Sequence, residues 1–206
     1  MIFSEVESIL GALILGSALL VQIRSYIRPM ISTVVTQSVL LAAMAILIGV
    51  EVHSYDLIIL AFLIVLLRGV LINYVLQKRL PQGRVFVREY SHGVPSVVIA
   101  SIIVLIVSFL IYRVSFYPYV QDNLGAIGLS VIFQGLLLIM TRRNSFAHFV
   151  GYVEEENGVI FLALTIIPLP LLIEISVLLD VLALIIAGGI LVTNNVEHTR
   201  VEELMG

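Results

Sequence analysis

The sequence predicts an all-α integral membrane protein with about seven transmembrane helices. Of its 206 residues, 60% are hydrophobic and only 12% are charged, whereas a soluble domain carries about 25% charged residues. The mean hydropathy is +1.14. Apolar runs recur along the whole chain, each close to the roughly 20 residues that a helix needs to cross a bilayer. No stretch is left over for a separate soluble domain.

Apolar runs bounded by charged residues, proline or glycine predict the spans in order. The first run lacks a basic start and contains Glu5 and Glu7, so we expect a retained helix rather than a cleaved signal peptide. In the fifth run, Gly125 and Gly128 interrupt the apolar start. Residues 1–120 are expected to form a four-helix membrane region and residues 121–206 a three-helix membrane region. The seven predicted spans are 4–23, 31–50, 57–76, 95–113, 124–141, 146–166 and 170–192.

The distribution of basic residues predicts the orientation of these spans. The loops after spans one, three and five are basic, as is the tail, whereas the opposite side carries Arg113 alone. Because basic loops stay on the cytoplasmic side, we expect the N-terminus outside and the C-terminus in the cytoplasm, in a multi-pass protein of the cell membrane. The basic residues on the predicted cytoplasmic side are Arg24, Arg28, Lys78, Arg79, Arg84, Arg88, Arg142, Arg143 and Arg200.

The composition also excludes several kinds of chemistry. Cysteine is absent, which removes disulfides, thiolate nucleophiles, iron–sulfur ligation and cysteine zinc sites. The four histidines are scattered without ligand spacing, and the net charge of −3 points to no nucleic-acid partner. We therefore expect no catalytic residue, no bound cofactor and no metal site in this chain, with the lipid bilayer as its surroundings.

Two acidic residues are predicted to lie near the middle of the membrane in the last helical hairpin. Glu156 is twelve residues before Pro168, and Asp180 is twelve residues after it. At the helical rise per residue, both lie about 18 Å from the turn, within an apolar core about 30 Å thick. A carboxylate at that depth is costly and usually serves ion or proton movement.

The neighbouring acids allow alternatives. Glu154, Glu155 and Glu156 fan over about 200° on a helix, so they do not all face one pocket, and at least one of the first two can reach water or a basic loop. Alternatively the triplet marks a helix end, although only about ten residues would then remain before Pro168, too few to span. Glu174 follows Pro170 by four residues and fits either a cap at the helix N-terminus or a second membrane acid. Asp180 fits either an ion pathway or a structural hydrogen bond.

Arg68, in the third span, is a further charge inside the predicted membrane region. It either snorkels towards the cytoplasmic interface or pairs with an intramembrane acid of this chain or of a partner. An arginine favours the charged form of a carboxyl, whereas desolvation opposes it, and a carboxyl balanced between the two effects suits a proton relay. The candidate proton-pathway residues are Glu156, Asp180, Glu174, Glu155, Glu154 and Arg68.

Residues 124–206 resemble the K subunit of bacterial complex I and its Mrp antiporter counterpart. Those three-helix proteins have an Arg-Arg-Asn turn, a buried glutamate in the second helix and another in the third. Here 142–144 supply the turn, 151–156 contain the glutamate region, and 201–206 are similar to the acidic tail. Because the hairpin turn is shorter here, the third-helix acid matches Asp180 by depth and Glu174 by linear motif. The closer resemblance is to the longer E component of formate hydrogenlyase-type membrane-bound nickel–iron hydrogenases, through 156–158 and 172–180.

The resemblance implies a non-redox subunit in the membrane arm of a proton-translocating hydrogenase or complex-I-like assembly. The implied partners are antiporter-like subunits, membrane subunits of the J and H types of complex I, and a soluble hydrogenase arm on the cytoplasmic side. The chain would contribute buried carboxylates to a pathway for H⁺ or Na⁺. The alternatives are a structural spacer, with the basic loop 77–94 docking the soluble arm, and a free-standing ion transporter, which the lack of internal repeats disfavours.

Overall fold

In the computed structural model of the protein, the described residues are 2–72, 94–120, 122–166, 178, 179 and 182. These residues form helices and short connections, and none of them forms a strand. The first part contains α1 (Ile2–Ile23), α2 (Ile27–Glu51) and α3 (Tyr55–Ile64), which continues directly as a π-helix (Val65–Ile72). The second part contains α4 (Val94–Ser115), the short α5 (Tyr117–Val120), α6 (Leu124–Thr141) and α7 (Ser145–Ile166).

The helices agree with the predicted spans wherever the structure describes them. The first, second, fourth, fifth and sixth predicted spans each coincide with one long helix, to within a few residues at either end. The third predicted span begins in α3, and its last residues lie outside the described part. The seventh, apart from helical residues 178, 179 and 182, also lies outside it. The number seven and the orientation therefore stay predictions.

Four of the described helices are long and apolar enough to cross a membrane. These segments are Phe3–Ile23, Ile27–Glu51, Pro95–Ser115 and Leu124–Thr141. Helix α7 has a similar length but carries three consecutive glutamates in its middle. The protein is therefore a helical bundle whose composition is that of a membrane-embedded chain.

The two ends of the bundle differ in charge. At one end, Glu7 of α1 lies beside Glu51 at the end of α2 and within electrostatic range of Asp122, which precedes α6. At the other end, the guanidinium of Arg142 donates a 2.6 Å hydrogen bond from Nη2 to the carbonyl oxygen of Gln22, near the end of α1. We call these the acidic end and the basic end. This separation is the one that alternating acidic and basic loops predict for adjacent antiparallel helices.

Glycines bring the backbones of α6 and α7 into direct contact. A Cβ atom added to Gly135 would lie 2.6 Å from the backbone nitrogen of Glu155 and 2.6 Å from the carbonyl oxygen of Gly151. A Cβ atom on Gly128 would similarly lie 2.6 Å from the backbone nitrogen of Leu162. Small residues allow such backbone contact between helices in a membrane, where van der Waals packing drives association. The contact fixes the rotation of α7, and with it the direction of each glutamate in the triplet.

We predict that Gly135→Ala destabilises the protein, because the new methyl group would overlap backbone atoms of α7 that cannot move independently. The expected cost is about 1–3 kcal/mol of unfolding free energy. The measurement is the midpoint temperature for loss of the monodisperse species in detergent. Gly16→Ala is the matched control, since a Cβ atom at Gly16 would meet nothing within 4 Å. Equal midpoints for the two variants would contradict the proposed packing role of Gly135.

Candidate functional site

Buried polar side chains form a layer between two apolar clusters. Along α2, the apolar residues up to Val34 belong to a cluster near the basic end, and those from Leu41 belong to a cluster near the acidic end. Along α7, the same change of cluster occurs between Val153 and Ile160. The buried polar layer consists of the side chains in and beside these intervals: Gln22, Gln37, Ser38, Arg68, Ser101, Gln134, Glu154, Glu156 and Asn157.

An ion pair between Arg68 and Glu156 lies at the centre of this layer. The Nη2 atom of Arg68 is 3.2 Å from Oε2 of Glu156, and the two side chains are 1% and 3% exposed. Arg68 therefore does not snorkel to an interface. It lies within the π-helix Val65–Ile72, a wider helical form that often occurs at functional sites.

Asn157 joins this ion pair to α2. Its side-chain oxygen accepts a 2.7 Å hydrogen bond from Nη1 of Arg68. Its amide nitrogen donates 2.9 Å hydrogen bonds to Oε1 of Gln37 and to Oγ of Ser38. Gln37 in turn donates from Nε2 to the carbonyl oxygen of Ile14 at 3.4 Å. The network thus connects α1, α2, the π-helix and α7 through hydrogen-bonded side chains with little exposure.

The space around this network is small. A cavity of about 10 Å³ borders Ser38 and Arg68 and is otherwise lined by apolar side chains of α2 and α7. This volume is at the lower limit for one water molecule. Arg68 and Glu156 are therefore packed in protein rather than hydrated, and the pair resembles a fixed structural ion pair more than two solvated charges.

Glu154 differs from Glu156 in having no hydrogen-bond or ion-pair partner among the described residues. Its side chain is completely buried, and neither carboxyl oxygen accepts a hydrogen bond from any residue that the structure describes. A buried carboxylate without a cation or hydrogen-bond donor is strongly unfavourable. Among the acids that the structure describes, Glu154 is therefore the one whose surroundings most disfavour a permanent negative charge.

Glu155 and Tyr152 lie towards the surface of α7. Glu155 is partly exposed, in agreement with the expectation that the triplet does not face one pocket. Tyr152 is within electrostatic range of Glu156, one turn later, and its hydroxyl donates a 3.4 Å hydrogen bond to the carbonyl oxygen of Leu179. Helix α7 runs through the whole triplet. The alternative in which the triplet marks a helix end is therefore wrong.

A second set of polar contacts extends from the polar layer to the basic end. Oγ of Ser101 donates a 2.8 Å hydrogen bond to Oε1 of Gln134, and Nε2 of Gln134 donates a 2.9 Å hydrogen bond to the Ser101 carbonyl oxygen. Nε2 of Gln22 then donates to the Gln134 carbonyl oxygen at 2.8 Å. Arg142, which sequence reasoning treated as a loop cation, is fully buried and binds the Gln22 carbonyl. The ring of His148 contacts the Arg142 carbonyl oxygen.

The structure brings four of the six sequence-predicted site residues into one region. Glu154, Glu155, Glu156 and Arg68 lie in or beside the polar layer, whereas Glu174 and Asp180 lie outside the described residues. Sequence reasoning missed the buried glutamine side chains and Ser38. The sequence does indicate the glutamines, because Gln22, Gln37 and Gln134 interrupt apolar runs. Polar side chains within membrane helices usually hydrogen-bond across helices.

Among the described residues, no group of three or more histidine, cysteine or carboxylate side chains could hold a metal ion. The geometry instead provides hydrogen-bonding and ionisable groups in an apolar setting.

Comparison with known proteins adds no identification, since no family, no curated protein and no solved structure matches the chain.

We predict that Arg68→Gln destabilises the protein strongly, because it leaves Glu156 buried without its counter-ion. Removing one partner of a buried ion pair costs about 3–5 kcal/mol. The measurement is thermal stability in detergent. The double variant Arg68→Met with Glu156→Met should lose much less stability than the sum of the losses in the two single variants. Additive losses would contradict the ion pair as an energetic unit, and Arg113→Gln, at an exposed position, provides the control.

Proposed function

We propose that the protein is a non-redox membrane subunit that contributes buried carboxyl groups to a proton pathway. The observation that carries this proposal is the complete burial of Glu154, to which no residue in the described ranges donates a hydrogen bond. Ionisable residues inside membrane helices are costly and typically mark proton or ion pathways. A carboxyl group exchanges a proton without further ligands, whereas Na⁺ requires several oxygen ligands. The surroundings of Glu154 therefore favour H⁺ over Na⁺.

The proposed roles of the acids follow from their partners. Glu156 is held by Arg68, so it serves as a fixed charge that organises α7 against the π-helix. No described residue provides such a cation for Glu154, which is the group that gains and loses the proton. Glu155 is partly exposed and can receive protons from, or pass them to, neighbouring subunits. This assignment shifts the emphasis within the predicted set of acids, since sequence reasoning placed Glu156 and Asp180 deepest in the membrane and included Glu154 beside them.

The proposed setting is the membrane arm of a hydrogenase or complex-I-like assembly. It is supported by the resemblance of residues 124–206 to complex I and Mrp subunits, and by a buried polar layer that crosses several helices. Antiporter-like subunits would supply further buried ionisable groups, the J- and H-type membrane subunits would flank the chain, and the soluble arm would carry the redox chemistry. Glu174 and Asp180 belong to the same proposal as acids of the last hairpin. The proposed location is the cell membrane, with the N-terminus outside and the C-terminus in the cytoplasm.

The strongest alternative is a structural spacer, which a specific observation favours. Glu156, Asn157, Gln37 and Ser38 form a connected network around Arg68 with little space for water. Such a network suits a fixed scaffold for neighbouring subunits. A free-standing transporter would instead require the purified chain alone to move ions across liposome membranes.

We predict that Glu154→Gln abolishes proton movement coupled to the redox reaction while the complex still assembles. The glutamine has nearly the same shape but cannot exchange a proton. The measurement is acidification of inverted membrane vesicles on addition of the electron donor, alongside the amount of intact complex on a native gel.

Glu155→Gln is the matched control at the neighbouring, partly exposed position, and it should retain most of the proton movement. Glu156→Gln should instead reduce assembly, because it weakens the pair with Arg68. Normal acidification by Glu154→Gln vesicles would refute the relay, and loss of assembly in Glu154→Gln would favour the spacer.

A further inference from the structure

A recess at the basic end lies between the end of α1 and the start of α2. Its volume is about 290 Å³, close to the smaller ligand pockets of proteins. It is lined by Leu20, Ile23, Arg24, Ser25, Tyr26 and Pro29. The recess therefore contains the point at which the apolar sequence of α1 changes to the polar turn that connects it to α2.

The positive charge in this recess belongs to Arg24. The guanidinium of Arg24 is exposed and forms no ion pair or hydrogen bond with any residue in the described part of the chain. Arg28, in the first turn of α2, is also exposed. The recess thus offers five guanidinium N–H donors from Arg24, which match a phosphate group in geometry and charge.

The other lining residues are amphipathic or apolar. Leu20 and Ile23 are 48% and 49% exposed, on the side of the recess that belongs to the apolar run of α1. Tyr26 is 37% exposed, and tyrosine is enriched at the boundary between membrane and water. A ligand that fits has an anionic group for Arg24 and hydrocarbon for Leu20 and Ile23.

We propose that this recess binds the headgroup of an anionic phospholipid. The phosphate would lie against Arg24, with the upper acyl chains along Leu20 and Ile23. A free phosphate ion would match Arg24 but would leave the apolar side of the recess uncovered. An acidic segment of a partner subunit would likewise match the charge of Arg24 but would offer no hydrocarbon to Leu20 and Ile23. An anionic phospholipid matches both the charged and the apolar side of the recess.

The test compares phosphatidylglycerol with phosphatidylcholine on the purified full chain by native mass spectrometry in mild detergent. The wild type should retain phosphatidylglycerol preferentially. Arg24→Gln should reduce that retention roughly fivefold, since one basic residue at an anionic membrane surface contributes about 1 kcal/mol. Arg24→Lys, which keeps the charge, should preserve the preference.

The matched control is Arg113→Gln, which removes an exposed arginine from α4 at the end of the bundle where the chain continues to α5 and Asp122. It should leave the preference unchanged. An unchanged preference in Arg24→Gln, an equal loss in Arg113→Gln, equal retention of the two lipids by the wild type, or displacement of phosphatidylglycerol by millimolar inorganic phosphate would each overturn the proposal. Because Arg24 is exposed, its variants should give the same gel-filtration profile as the wild type.

Discussion

The interaction on which the rest of this bundle depends is the buried pairing of Arg68 with Glu156. A single buried charge left without its partner would cost about 3–5 kcal/mol, a large fraction of the total stability of a typical domain, so the two must be brought together. Asn157 accepts a hydrogen bond from Arg68, and Gln37 and Ser38 in turn accept hydrogen bonds from the Asn157 amide. This requirement fixes the π-helix, α2 and α7 relative to one another. It also separates the two neighbouring glutamates into different environments.

The glycine contact between α6 and α7 determines where each glutamate of the triplet lies. With α7 pressed against Gly135 and Gly128, its rotation is set by backbone packing. The network side of α7 then carries Glu156 and Asn157, Glu154 is enclosed with no partner in the described part of the chain, and Glu155 reaches the surface. Helix packing and ion pairing together therefore place three consecutive glutamates in three different surroundings.

Much of the helical framework could be predicted from the sequence, because apolar runs bounded by polar residues are a direct consequence of burial in a bilayer. Glu156 and Arg68 were also recognisable, since charges within such runs are rare. Their pairing with each other was not, because it depends on how two helices distant in sequence pack. The complete burial of Glu154 could not be predicted either, as one position along a helix changes the direction of a side chain by about 100°. Gln37 and Ser38 were overlooked because they carry no charge, and Arg142 because its place between two spans suggested exposure.

The order of synthesis gives the ion pair a consequence for membrane insertion. Arg68 and Asn157 are 89 residues apart, so the ribosome completes α3 and two further long helices before α7 exists. Until then Glu156, its observed counter-ion, has not been synthesised, and placing a lone guanidinium at the centre of a bilayer costs about 2.5–3.5 kcal/mol on insertion scales. Stepwise release of each helix into lipid would therefore pass through an unfavourable intermediate. Biogenesis of this chain is best served by a translocation machinery that retains the early helices until the later ones arrive, so that charge neutralisation and helix release occur together.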